Sequence, residues 1–170
     1  GARAAGLGES FVAVANDPSA IFWNPAGLAA LQRQEVELSH IEWPADIRYE
    51  HGIYVRPSKR FGGSFALQFG VLSTTIDETD EFHPFGTGRS FIYSDAVAGA
   101  AFARRWTDKL LVGVGVKYVR EDLGSDVGGP TTQAVLFDMG SIYYLGYGSV
   151  RIATSLTNFG PELRPGGSFK

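Results

Sequence analysis

Residues 110–120 read Leu110-Leu111-Val112-Gly113-Val114-Gly115-Val116-Lys117-Tyr118-Val119-Arg120. In an extended chain Val112, Val114, Val116 and Tyr118 share one face, and Gly113, Gly115, Lys117 and Val119 share the other. Side chains alternate across a strand with a period of two, so this is a β-strand with one apolar face. The second face is not an ordinary wet one. A sheet face turned to water usually carries Lys, Glu, Arg or Thr, whereas this one is mostly small.

The pattern extends outward in both directions. In 62–72, Phe65, Leu67, Phe69 and Val71 oppose Ser64, Ala66, Gln68 and Gly70. In 133–145 the apolar face is Val135, Phe137 and Met139, and in 149–157 it is Val150, Ile152 and Leu156. Weaker alternation marks 35–43, 47–56 and 91–104, which makes seven strands, most of them 9 to 14 residues long. Globular strands average about five or six residues, while about 9–11 are needed to cross a bilayer with tilt. The connections 57–61, 105–109 and 146–148 are short and alternate with the long polar 73–90 and 121–131. Short turns at one end and long loops at the other are the asymmetry of outer-membrane barrels. Tyr54, Trp106, Tyr143, Tyr144 and Tyr147 fall near the short-turn ends, where an aromatic girdle belongs. The expected fold is therefore all-β, an antiparallel transmembrane β-barrel, with a soluble barrel or sandwich as the alternative.

Composition agrees. The 170 residues suit one domain, and Gly is frequent at 22 while charged residues make up 19%, against roughly 25% in soluble domains. A net charge of −3 gives no basic surplus for nucleic acid. With no Cys there is no disulfide, thiolate site or Cys nucleophile. His40, His51 and His83 lie far apart and match no zinc spacing. No apolar run is long enough for a transmembrane helix. The chain opens without an initiator Met, which suggests a leader before it. Seven is an odd count whereas bacterial single-chain barrels close with an even number of strands, and open sheet edges in hydrocarbon cost several kcal/mol per unpaired group. Residues 35–170 thus read as the first half of a larger barrel.

Residues 1–34 are different. Asp17 and Pro18 read as the N-cap and first residue of a short helix, and Asn24-Pro25 as the start of a second. This stretch is expected to pack against or inside the strands. Its wording is specific: Gly1-Ala2-Arg3, Gly6-Leu7-Gly8, Phe11-Val12-Ala13-Val14-Ala15-Asn16-Asp17, then Trp23-Asn24-Pro25-Ala26-Gly27-Leu28. The opening resembles that of the PorV/PorQ family, a branch of the FadL-like outer-membrane barrels. Lesser similarities lie at Gly86-Thr87-Gly88, Lys117-Tyr118-Val119, Asp138-Met139-Gly140 and Asn158-Phe159-Gly160. Glu9 departs from the small residue many members carry there.

The resemblance implies a barrel of about 14 strands, seven of them here, with residues 1–34 folded into the lumen as a hatch. It also implies a place in the bacterial outer membrane and a role in type IX secretion, binding secreted cargo or other envelope proteins through outer loops. The FadL side of the superfamily implies a second role, a conduit for long-chain fatty acids or other hydrophobic molecules held in the lumen. A purely structural envelope subunit is a third. The hatch residues carried by the motif are Arg3, Gly6, Gly8, Asp17, Asn24, Pro25 and Gly27.

Strand register adds an expectation of its own. With 105–109 as a turn, Lys117 lies opposite position 97, a diagonal from Asp95; with 121–131 as a loop, it lies near Asp138. Asp95, Lys117 and Asp138 are expected to form a charge cluster on the lumen face, since Lys facing lipid costs about 2–4 kcal/mol. The acidic run Asp77-Glu78-Thr79-Asp80-Glu81 offers oxygens for Ca²⁺ but lacks EF-hand spacing and reads first as a solvated loop. Phe82, Phe85 and Phe91 flank it as candidate contacts for cargo or for the barrel mouth. No nucleophile elbow, catalytic triad spacing or phosphate loop is present. Neither an enzyme, a cofactor nor a metal centre is expected.

Overall fold

A computed structural model of the chain describes residues 2–8, 10–44, 46–79, 81–84, 86–125 and 128–161. Two short helices, α1 (Ala2–Gly6) and α2 (Ala20–Trp23), precede a 3₁₀ helix at Pro25–Ala30. Seven strands follow: β1 (Glu35–Trp43), β2 (Ile47–Ser58), β3 (Gly63–Asp77), β4 (Ser90–Arg105), β5 (Leu110–Leu123), β6 (Thr131–Tyr144) and β7 (Arg151–Phe159). Every predicted strand is present. The main difference lies at β3 and β4, which continue pairing through Asp77↔Ser90 into what reads in sequence as loop. Thr74, Thr75 and Ile76 supply the β-branched side chains that sustain it.

The strands form one antiparallel sheet in chain order, with β1 and β7 at its edges. Its two faces are inverted relative to a soluble sheet. Leu67 and Phe69 are 57% and 60% exposed, while Gln68 between them is 6% exposed and Ser64, on the same face as Gln68, is 2% exposed. The register carries this alternation from strand to strand, so Phe65, Phe102, Val114 and Met139 stand in one row on the open face. No charged residue stands on the open face of β6 or β7, and on β3 the only one is Asp77, the strand's last residue. On β4 and β5 the open-face charges Arg104, Arg120 and Asp122 lie towards the strand ends.

The N-terminal segment covers the other face. Phe11, Ile21 and Leu28 are buried against Ile53, Val55, Ala66, Ala101 and Ala103, and Ala26 against Leu111 and Ile142. Small residues on β3 and β4 let the segment sit close to the sheet, and burial of Phe11 and Leu28 contributes about 1.5–3 kcal/mol each. α2 touches β2 through Phe22 on His51 and also reaches β7. In a flat sheet those strands would lie about 24 Å apart. A helix of four residues meets both because the sheet curls around it. No helix among the described residues is long and apolar enough to cross a membrane.

Candidate functional site: the docked segment and the polar row beside it

Asn24 holds the segment in place. It is fully buried, and its Nδ2 donates to the Val12 and Ser141 carbonyls at 3.1 Å each. Its Oδ1 accepts from the Ala26 N–H at 3.1 Å, which caps the 3₁₀ helix, and Pro25 takes the first helical position. One side chain thus ties the turn to the preceding loop and to β6. Gly113 and Gly140, directly paired across β5 and β6, form the seat. A Cβ on Gly140 would overlap Asn24 Oδ1, and one on Gly113 would overlap the Pro25–Ala26 backbone. Gly27 is needed for the same reason, since a Cβ there would meet the Ala15 carbonyl.

The motif's other residues close the segment on itself. Arg3 Nη1 donates to Asn16 Oδ1 at 2.7 Å and to Asp17 Oδ2 at 2.8 Å, and its guanidinium lies over the Phe11 ring. Asp17 accepts from the Ser19 backbone and hydroxyl in an Asx-type turn. α2 is regular from Ala20; Ser19 before it already has helical backbone angles and makes no side-chain cap, and the side-chain oxygen that receives an N–H at this end is Asp17 Oδ1. Gly8 adopts a positive φ of 58° that disfavours a side chain, whereas Gly6 has open space around it. Glu9 lies outside the described residues.

The expected charge cluster is two residues, not three. Lys117 Nζ lies 2.9 Å from Asp138 Oδ2, with side chains 11% and 4% exposed, on the face that carries the segment. Asp138 Oδ1 also accepts the Asn158 N–H at 2.7 Å, where a bulge in β7 holds Asn158 at φ 61°. Asp95 stands elsewhere. Lys117 pairs with Gly99, two residues from the predicted partner, which sets Asp95 opposite Glu121 instead. Asp95 Oδ2 accepts the Tyr93 hydroxyl at 2.8 Å, and the same hydroxyl reaches Glu121 Oε1 at 3.3 Å.

Sequence reasoning missed the Gly113–Gly140 seat. Its signal was the paired small residues on facing strands, which become visible only once the register is known. Tyr54, Trp106, Tyr143 and Tyr147 are exposed near the short-turn ends as expected, but Tyr144 turns to the covered face beside Ile142. In the long loop, Glu78 accepts from the Thr87 hydroxyl at 3.0 Å. Asp80 and Phe85 lie outside the described residues; Phe82 is exposed, and Phe91 is half-buried on β4. Among the described residues no group of three or more His, Asp or Glu could hold a metal ion.

Residues 1–117 match the model of the Uncharacterised protein family (UPF0164). The chain belongs to that family. The matched region takes in the whole docked segment, β1 to β4 and β5 as far as Lys117. No curated protein and no solved structure matches the chain.

Proposed function

We propose that this family member forms part of a bacterial outer-membrane β-barrel of the PorV/PorQ type, in which residues 1–34 plug the lumen. The observation that carries the reading is the open face. β3 to β7 present a continuous apolar surface whose central stretch holds no charge, while β1 and β2 carry Glu42, Arg48, Glu50 and Arg56 on that side, and Lys117, Asp138, Asp95 and Glu121 stand on the opposite face. Water would penalise that arrangement; hydrocarbon outside and a polar interior favour it. In this setting β1 and β7 need further strands as partners, since unpaired edges in hydrocarbon are costly.

Within that barrel the chain acts as a binding and secretion accessory, recruiting secreted or envelope proteins through its outer loops and rim. The filled interior supports this over a FadL-like conduit for hydrophobic molecules. The segment is bolted by Asn24 and seated on Gly113 and Gly140, and Lys117–Asp138 spans neighbouring strands beside it. The test is made on the full-length protein by outer-membrane fractionation and gel mobility with and without boiling. A heat-modifiable outer-membrane band is expected, and cross-linking in cells should then recover proteins bound at the outer loops. A soluble product with one mobility overturns the membrane reading. Saturable uptake of a labelled long-chain fatty acid would favour the conduit.

A further inference from the structure

A cleft of about 280 Å³ opens between α2 and the β1–β2 hairpin, away from the Asn24 seat. Phe22 and Trp23 line it from the segment, Tyr49 and His51 from β2, and Glu37 and Ser39 from β1. The rings are fixed relative to one another. Tyr49 stacks on His51 at 5.5 Å and 25°, and Phe22 meets His51 edge-on at 5.5 Å. Both His51 ring nitrogens are buried and make no hydrogen bond, and the imidazole itself is packed by Tyr49 and Phe22.

Glu37 is the charge in this wall. Among the described residues its one ion-pair neighbour is His51 Nε2 at 3.5 Å, which is charged only if protonated. The nearby Arg33 is paired with Glu35 and Arg48 with Glu42, so neither neutralises it. A wall of aromatic rings with one carboxylate whose single ion-pair neighbour is an imidazole suits a cation that binds by charge and π-faces and has no N–H to satisfy. We propose that this cleft binds a compact quaternary ammonium of the choline type. An apolar molecule of the same shape would use the rings but waste Glu37. A primary ammonium would find too few acceptors. The proposal does not depend on what surrounds the open face, because every residue it uses stands on the covered one.

The test is calorimetric titration of the full-length protein with choline chloride at constant ionic strength, beside the neutral isostere 3,3-dimethylbutan-1-ol. Choline should bind saturably and the neutral isostere at least about tenfold more weakly. Glu37→Gln keeps the shape of the wall and should bring choline down to the level of the isostere. Tyr49→Leu should weaken binding in a protein whose strand signature is intact, and Glu42→Gln on the other face should leave it unchanged. Equal binding of choline and isostere, absence of saturation, or a Glu37→Gln variant that binds as wild type would each overturn the proposal.

Discussion

Asn24 shows how one amide can set the position of a whole segment. Both its donors and its carbonyl are committed to backbone groups, and two of those bonds reach outside its own turn. Replacing it with Ala removes a cap and leaves the Val12 and Ser141 carbonyls without this donor, a cost of about 2–4 kcal/mol. Asn24→Ala should therefore release the first 34 residues to proteinase well before the strands are attacked; an unchanged digestion course would contradict the role. Gly113→Ala should do the same, because its Cβ meets backbone that cannot move aside. Gly115→Ala is the control, since the nearest atoms there stand at ordinary contact, 3.5 Å. The Lys117–Asp138 pair carries a different energetic sign. Removing one buried partner strands the other, so Lys117→Met and Asp138→Leu should each lose about 3–5 kcal/mol. The double variant should lose less than the two combined, and a denaturation cycle that came out additive would show the pair to be uncoupled.

At the scale of the strand, what matters is which face meets which medium. Val116 lies on the open face of β5 and Val97 on the covered face of β4, nearer Asp95 and Glu121. Val116→Arg should cost about 2–4 kcal/mol in a bilayer and reduce the folded, membrane-inserted fraction. Val97→Arg should be tolerated, since the new cation meets carboxylates. If the open face met water instead, Val116→Arg would be harmless, and the yield of inserted protein from the two variants decides the matter. Strand existence and facing were legible in sequence because a period of two survives even where the inward face is Gly, Ala and Ser. Register was less so. The turn after β4 closes with the Trp106 N–H on the Leu110 carbonyl, which shifts the pairing by two residues. A shift of two keeps every side chain on its face, so Lys117 stayed on the covered side, yet it moves Asp95 four residues from Lys117's cross-strand partner, Gly99. Between β5 and β6 the same pairing rule brought Lys117 to Asp138, as expected. Exact seats such as Gly113 against Gly140 depend on register and on the path of a loop, and neither is written in local periodicity.

For the whole molecule, the sheet and the segment explain each other. The covered face is too poor in large side chains to form a core alone; Ala66, Ala101, Ala103, Gly113 and Gly140 become buried or occupied only because residues 11–31 lie on them. The segment in turn has too little regular structure to persist by itself, since α2 has four residues and isolated helices that short are unstable. Each therefore templates the other, and the curled sheet wraps around the segment. Deleting residues 1–34 from the full-length protein should leave the inter-strand hydrogen bonds in place but empty the interior along Gly113, Gly140 and the Lys117–Asp138 pair. In a planar bilayer the intact protein should then be nearly silent and the deletion variant should conduct ions. Asn24→Ala, which loosens the segment without removing it, should flicker between the two levels. A deletion variant as silent as the parent would mean that side chains or other strands close the interior, and that the segment serves to hold the sheet's curvature rather than to block a path.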